Sequence, residues 1–306
     1  MPNNHNPLVT VVIPTHNREK YLVEAVNSVI NQTTDQWRVI IVDDASDAPV
    51  ILPIEISDHR ISIIHNTTNC GVSTSRNIGA KSAKSEWILF LDDDDWLDER
   101  FIEEMLHVIE IDGVKMDFIW PRRRLIYMGT DRTEESANRD IRIENGLGSE
   151  DDFFHIIDPL CTGMAFKKST LLQNGGFDTS LKVSEDRDLI FRMLSKNCSC
   201  RSASAPLLKF RIHSNERLSN NTKGSIQASC DLEVLSRHNG FLAKHPRLAK
   251  RYLGRTGKKL WRLGMAKEAI MVMHALQEIA PNDFQTKKRM FLWSLFSKLR
   301  LPTKSG

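Results

Sequence analysis

Apolar positions along this chain alternate between short β-branched runs and longer stretches with helical spacing. Leu8–Ile13, closed by Pro14, predicts a strand buried on both faces. After the polar Thr15–Arg18, residues Tyr21, Leu22, Ala25, Val26, Val29 and Ile30 recur at i, i+3 and i+4 and predict a helix. Arg38–Val42, Ile61–His65 and Trp87–Leu91 read as three more strands, with a loop and helix over Gly71–Ser85. Phe101, Ile102, Met105, Leu106 and Ile109 mark a helix leading to Met116–Trp120. Residues 121–150 are charged and weakly patterned, and are expected to form an irregular or mobile excursion. Cys161–Phe166 predicts a strand, Lys168–Gln173 a short helix stopped at Gly175-Gly176, Glu185–Lys196 a helix and Leu207–Ile212 a strand ending near His213. From about Ser225 the strand signals stop. Ser225–Lys244, Pro246–Gly264, Met265–Ala280 and Phe284–Leu299 predict four helices. Strands alternating with helices define an α/β layer with a mostly parallel central sheet, here followed by an all-helical C-terminal extension.

Composition adds few constraints. With 306 residues, 41% hydrophobic and 26% charged, the chain suits an ordinary globular protein of one large domain plus an appendage. Its apolar runs fall short of the roughly 20 residues that cross a bilayer, and MPNNHNP lacks the features of a secretory signal, so the chain is expected to stay in the cytoplasm. Five cysteines, an odd number, argue against a disulfide framework, and Cys198-Ser199-Cys200 has no second pair to complete a zinc site. Charge is more informative. Residues 244–306 hold 15 Lys and Arg against three acids, a net +12, so residues 1–243 carry −9 beneath the overall +3.

Three polar clusters, Thr15–Arg18, Asp43-Asp44 and Asp92–Asp95, each follow a predicted strand. Ligands of open α/β sheets bind outside the carboxyl ends of the strands. Four consecutive aspartates directly after a buried strand repel one another unless a cation neutralises them, and hard divalent ions take carboxylate and phosphate oxygens. The run therefore points to a metal–diphosphate site holding Mn2+ or Mg2+. Asp43-Asp44 reads either as a turn-capping pair or as a partner for a base N–H or a ribose hydroxyl. Glu185-Asp186 suits the first turn of a helix, and equally a general base, since a carboxylate is ionised at pH 7. His213 reads as a surface histidine or a further metal ligand.

These residues, in this order, resemble the family-2 inverting glycosyltransferases. The matching segments are VTVVIPTHNREKYLVEAVNSVINQ (9–32), VIIVDDAS (39–46), NCGVSTSRNIGAKSAKSEWILFLDDDDWL (69–97), NGGFDTSLKVSEDRDLIFRML (174–194) and FRIHSNERLS (210–219). The resemblance implies a GT-A fold over residues 1–222, with a nucleotide-sugar half at about 1–97 and an acceptor half at about 98–222, and leaves 223–306 as a basic helical extension. It implies that Pro14, Thr15 and His16 line the nucleotide pocket, that Asp43 meets the nucleobase and that Asp44 supports its turn. Arg76 and Asn77 fall where the family closes over the nucleotide. Asp92 and Asp94 match the family's Asp-any-Asp, with Asp94 as direct metal ligand and Asp92 facing ribose or metal. Asp93 joins the donor site without an assigned role, Asp186 matches the catalytic base, and His213 the histidine that completes the metal site in several members.

The implied reaction is a single in-line displacement that inverts the anomeric carbon of a nucleotide-diphosphate sugar, with UDP as the family-level expectation and a saccharide or lipid-linked hydroxyl as acceptor. The alternative is a degenerate GT-A fold that binds nucleotide sugars without transfer. A phosphoacceptor receiver would carry its acidic pair on the first strand, and no GxGxxG follows the first strand as a dinucleotide enzyme requires. The basic tail shows no nucleic-acid module. Within it, Phe291, Leu292, Leu295, Phe296 and Leu299 share a face ringed by Lys287, Lys288, Arg289, Lys298 and Arg300, so the tail reads either as a solvated helical appendage or as a membrane-surface contact through 284–300 that gives a peripheral place on the inner face of the cell membrane.

Overall fold

The computed structural model describes residues 8–112, 116–136, 141–157, 161–212 and 224–299. His213, expected as a metal ligand, lies outside the described residues. In chain order the elements are β1 (Val9–Thr15), α1 (Glu19–Ile30), β2 (Trp37–Asp43), β3 (Ile61–His65), α2 (Val72–Ser82), β4 (Trp87–Phe90), β5 (Trp96–Leu97), α3 (Phe101–Asp112) and β6 (Phe118–Trp120). There follow β7 (Arg123–Tyr127), β8 (Thr133–Glu135), β9 (Arg142–Ile143), α4 (Glu150–Ile157), β10 (Ala165–Lys167), α5 (Lys168–Gln173), α6 (Glu185–Ser195), β11 (Cys200–Ser202) and β12 (Leu208–Ile212). The last five are helices: α7 (Gly224–Arg237), α8 (Asn239–Lys244), α9 (Pro246–Arg262), α10 (Ala266–Ile279) and α11 (Phe284–Leu299). The chain divides into two compact units, one of residues 1–148, 159–180 and 192–215, the other of 149–158, 181–191 and 216–306.

The first unit is built on an eight-stranded sheet ordered β3-β2-β1-β4-β10-β6-β11-β9. Its first four strands are parallel and β10 runs antiparallel to β4, which gives the mixed, mostly parallel sheet expected from the pattern. Strands of such a sheet are covered on both faces. Val9, Val11 and Ile13 of β1 face Leu22, Val26 and Val29 of α1 in one core, while on the other face Val12 meets α2. That second approach is close: a Cβ on Gly79 would lie 2.3 Å from Val12 Cγ1, so only glycine fits there.

Pro14 lies inside β1 rather than after it. β1 pairs with β2 along its whole length but with β4 only as far as Val12↔Phe90. Leu91 N donates to Val12 O, so the backbone of Pro14, two residues on, faces the side where β4 has ended and its missing N–H leaves no ladder bond unmade.

The described residues within 121–150 do not form an irregular excursion. β7 pairs in parallel with β12 and antiparallel with β8 in a second sheet, ordered β5-β12-β7-β8, and β9 closes the edge of the large sheet. The charges that hid the strands are cross-strand partners on a solvated surface, such as Arg124 and Glu135 at 3.0 Å. Cys161–Met164 is a turn and not strand, with Gly163 at φ 76°, and β10 begins at Ala165. Gly175 and Gly176 both take positive φ after α5, as the helix stop requires.

The second unit is helical. Its core is aromatic: Phe191 stacks on His238 with centroids 5.0 Å apart and meets Phe241 edge-on at 5.8 Å, and Phe153 of α4 meets Phe241 at 5.5 Å. The predicted Ser225–Lys244 helix is interrupted at His238, which separates α7 from α8. Cys198 and Cys200, in the first unit, are buried.

Candidate active site

The parallel strands of the first unit end together. Thr15 lies opposite Asp43 in the β1–β2 register, and the aspartate run begins one residue after Leu91, which hydrogen-bonds to Val12 of β1. Both loops leaving β1 and β2 are tight, with Asn17 at φ 55° and Ala45 at φ 59°. They are tied together where Asn17 N donates to Ser46 Oγ (2.9 Å) and Asp47 N to Asn17 Oδ1 (2.9 Å). A non-glycine residue in the left-handed region costs of order 1 kcal/mol and persists only where its surroundings fix it.

The buried Asp43 carboxylate organises the β2 loop. Its Oδ1 accepts from Ser46 N at 3.0 Å, and its Oδ2 accepts from Val50 N at 3.1 Å and lies 3.0 Å from His65 Nδ1. Burial opposes its charge, but the bonds from Ser46, His65 and the Val50 amide more than offset this and hold the carboxyl below its ordinary 3.8. Asp44 fixes the approach to α2, where its oxygens accept from Asn66 Nδ2 (2.8 Å), Cys70 N (2.9 Å) and Gly71 N (2.7 Å). The turn-holding and ligand-facing readings of this pair are therefore both open to Asp43, whereas the contacts of Asp44 are those of a turn support.

The four aspartates point different ways. Asp93 turns back towards β1, accepting from Thr15 Oγ1 at 2.8 Å and pairing with Arg18 Nη1 at 3.2 Å. Burial pushes its carboxyl up to about 7 against the pull of Arg18 and Thr15, and its neighbours Asp94 and Asp92 push the same way. Asp92 pairs with Arg76 Nη2 at 2.7 Å, and its backbone N donates to Thr162 Oγ1. Asp94 shares Arg18 at 3.2 Å. Asp95 N donates to Asp92 O, closing a turn that brings the last acid of the run back beside the first. As a result Asp92, Asp94 and Asp95 each offer a carboxylate oxygen within 4.8 Å of the others. Three hard oxygen donors at that spacing fit Mg2+ or Mn2+ in the chemistry of their ligands.

Asp95 entered the sequence reading only as the last acid of the run, without a role of its own, and Arg211, which meets it, escaped that reading. Arg211 of β12 donates its backbone N to Asp95 Oδ1 (2.8 Å) and its Nε to Asp94 O (2.8 Å), pairs with Glu24, and lies over the rings of Trp96 and Tyr21 at 4.5 and 5.0 Å. Only the tetrad's own turn was available as a signal: four acids in sequence on one tight turn place the first and fourth together.

The remaining expected residues have distinct settings. Pro14 is buried at the end of β1. His16 is half-buried, with Nε2 3.3 Å from Asn17 Nδ2 and a buried Nδ1 that has no partner among the described residues. Arg76 lies over Phe177 (5.3 Å) as well as beside Asp92. Asn77 is spent on the backbone: its amide donates to Phe177 O and accepts from Phe177 N, both at 2.8 Å, and its Oδ1 would sit 2.4 Å from a Cβ on Gly176.

Asp186 belongs to the second unit, in the first turn of α6. Its neighbours Glu185 and Asp188 are buried, at 8% and 1% exposure, whereas Asp186 is half-buried and its Oδ1 accepts from Arg187 N at 2.7 Å. The residue that launches this turn, Ser184, has φ 66°. It is pinned by Asp231 of α7, whose Oδ1 accepts from Ser184 Oγ and Arg187 Nη1, each at 2.7 Å, and Gln227 Nε2 donates to Ser184 Oγ at 2.7 Å. One turn on, Asp188 lies 2.9 Å from His238 Nε2.

A mixed sheet whose strand ends gather Asp43, Asp44 and a three-carboxylate cluster is the arrangement of a GT-A nucleotide-sugar domain. The chain belongs to glycosyl transferase family 2, whose family model matches residues 10–172. It is 30% identical over 197 residues to an uncharacterized glycosyltransferase of Haemophilus influenzae, covering 62% of this chain and 63% of that protein. It is 32% identical over 193 residues to the minor teichoic acid biosynthesis protein GgaB of Bacillus subtilis, covering 61% of this chain and 21% of the relative. The chain thus spans less than two thirds of the length of these relatives. Its fold matches the crystal structure of S. aureus TarS 1-349 in complex with UDP-GlcNAc with a TM-score of 0.66 at 17% identity, covering 97% of this chain and 93% of that one.

Proposed function

We propose that this chain is a metal-dependent inverting glycosyltransferase that moves a sugar from a nucleotide-diphosphate sugar to a hydroxyl of a saccharide or lipid-linked acceptor in cell-surface polymer synthesis. The carrying observation is the convergence of Asp92, Asp94 and Asp95 within 4.8 Å at the end of β4, inside the family-2 domain. TarS binding UDP-GlcNAc and UDP supports a UDP-linked donor, and the teichoic acid assignment of GgaB supports the polymer class.

In this reading Asp94 and Asp92, with Asp95 beside them, hold Mn2+ or Mg2+. An ion held by these carboxylates would supply Lewis-acid neutralisation of the charge on a departing nucleoside diphosphate. Pro14, Thr15 and His16 line the nucleotide pocket. Asp43 meets the base and Asp44 keeps the Cys70-Gly71 turn in place. Arg76 positions Asp92, and Asn77 holds the Phe177 backbone under it. Asp93, buried against Thr15 and Arg18, fixes the shape of the acidic turn from behind. Asp186 takes the proton of the acceptor hydroxyl as its oxygen attacks. Intact carboxylates at every one of these positions favour catalysis over a degenerate binding module.

No described helix is long and apolar enough to cross a membrane. A peripheral contact through α11 keeps one supporting observation, the exposure of Phe284, Phe291 and Leu295 along one stripe of that helix. Phe296, Lys298, Leu299 and Arg300, the rest of the expected face, lie outside the residues whose side chains are described.

Screening UDP-, GDP- and dTDP-sugars for Mn2+-dependent hydrolysis or thermal shift tests the whole reading. The expected result is one donor class hydrolysed only with the metal present. Saturable donor binding with no hydrolysis or transfer under any metal would instead establish the binding module.

A further inference from the structure

α9 carries seven lysines and arginines and no acid, and most of them fall on one face. Arg247, Arg251, Lys258 and Arg262 follow one another at intervals of about one or two turns, opposite a face that buries Leu248, Tyr252, Leu253 and Leu260. Like charges at i, i+4 destabilise a helix, and nothing in α9 itself relieves them. This face lines a groove of about 860 Å³, completed by α10 and α11. Gly254 keeps the floor open where a side chain would otherwise rise, with Leu276 beneath, and α11 adds Gln285, Thr286 and Arg289 to the opposite wall.

Some of the groove's cations are already matched. Lys250 pairs with Asp283 at 2.6 Å, Lys259 lies 3.6 Å from Asp231, and Arg251 and Arg255 rest over the ring of Phe154. Arg247, Lys258, Arg262 and Arg289 have no acidic partner among the described residues, and the first three are exposed. The groove is therefore a concave, long, predominantly cationic surface with unspent donors, in which the lining acid Asp283 is matched by Lys250, and guanidinium forks match phosphate oxygens bidentately.

We infer that this groove binds a phosphate-bearing chain, the phosphorylated part of the acceptor that the proposed transferase glycosylates. Its length supports an extended ligand: a 17-residue helix runs about 25 Å, enough for several phosphate groups in a row. Among the described residues no aromatic side chain lines it to offer a platform for nucleobases, and Trp261 and Trp293 are stacked on each other at 4.7 Å. Its concavity suits a chain better than a flat bilayer surface. The identification of the ligand as acceptor rests on the proposed transferase activity; the phosphate site does not.

The test uses the full chain and labelled long-chain inorganic polyphosphate as the probe, followed by fluorescence anisotropy over a salt series. Saturable binding is expected at about 150 mM salt. The triple variant Arg247→Gln, Lys258→Gln, Arg262→Gln should lose about tenfold or more in affinity and flatten the salt dependence by about two log units per log unit of salt. Arg289→Gln, on a different helix, should weaken binding in the same direction by a smaller factor. These residues are exposed or half-buried, and a far-ultraviolet spectrum confirms that each variant folds. Absence of polyphosphate binding, or a triple variant that binds as the wild type does, overturns the inference. So does tighter binding to a single-stranded oligonucleotide, or binding confined to phosphatidylglycerol vesicles. Metal-dependent donor hydrolysis should be unchanged in the triple variant; if the wild type hydrolyses no donor, the transferase reading fails while the polyphosphate result stands.

Discussion

At the end of β4 four consecutive carboxylates meet Arg18, Arg76, the Thr15 hydroxyl and the Arg211 amide, whereas along α9 several exposed cations have no acidic partner among the described residues. Both regions concentrate one sign of charge. The acidic turn is held from several sides by partners far away in sequence, so its geometry is fixed before any ligand arrives. The basic helix is held by its apolar face and by a few pairs such as Lys250–Asp283, while Arg247, Lys258 and Arg262 stay exposed. Chemistry that must stabilise charge at one point needs the first arrangement. Capture of an extended anion needs only the second, because many weak contacts act together and salt dependence replaces geometry as the selector.

The sharpest way to break this contrast is at the reacting groups. Asp186→Asn keeps the shape of the first turn of α6 but removes the base. Transfer should fall by about 10²–10⁴-fold in kcat, the usual worth of a positioned general base. Donor affinity, read by thermal shift with Mn2+, should stay within a factor of two or so of wild type, since uniform binding is untouched. Normal turnover by this variant would end the base assignment.

Next in size is the metal. Asp94→Ala removes one of three converging oxygens and should weaken Mn2+ by more than the 10–100-fold that is usual for a supporting partner. Asp95→Asn should also weaken it, while leaving an oxygen to accept from Arg211 N. Titration of the ion in the absence of donor measures both. If Asp95→Asn binds Mn2+ as the wild type does, the ion is held by the Asp92–Asp94 pair and Asp95 serves only the turn.

The uneven legibility of the chain follows from the same physics. β1, β2 and β4 were readable because strands covered on both faces are written as continuous apolar runs, and the half-buried edge strand β3 because three of its five residues are isoleucine. β7 and β8 were not, because their surface is solvated and their Arg–Glu pairs look like a loop's composition until Arg124 is seen opposite Glu135. Within the site, the aspartates were legible because they sit next to a buried strand in sequence. Arg211 was not, since it reaches Asp94 and Asp95 from more than a hundred residues away. Nor was the strained Ser184, since serine carries no mark of positive φ and its anchor Asp231 lies on another helix.

That anchor gives a third, smaller effect, and shows what the helical unit contributes besides charge. Asp231→Ala leaves Ser184, Arg187 and Gln227 without a shared acceptor and frees a backbone conformation that costs about 1–3 kcal/mol to hold. Stability should drop by about 1–3 kcal/mol, the cost of leaving buried or half-buried donors without their acceptor, and kcat by roughly tenfold as the turn carrying Asp186 loosens. The KM for donor should not move. Asp231→Asn, which can still accept from Ser184 Oγ, should recover much of the rate. A loss of stability with kcat intact would show that Asp231 matters to the fold alone.

The smallest effect separates the β2 loop from the acids beside it. Asp43 carries its charge in a buried site because Ser46, His65 and the Val50 amide stabilise it, and its carboxyl lies below 3.8. A carboxyl depressed in the folded state contributes stability that is fully present above its unfolded value and disappears as the pH falls through the folded one. Asp43→Asn should therefore lower the thermal midpoint at pH 6 to 7, by the few degrees that about 1 kcal/mol gives in a chain of this size. The gap between variant and wild type should narrow steadily below pH 4. A gap that stayed constant down to pH 3 would mean that shape and not charge holds the loop. Asp43 would then belong with Asp44 as a turn support, leaving the nucleobase to Pro14, Thr15 and His16.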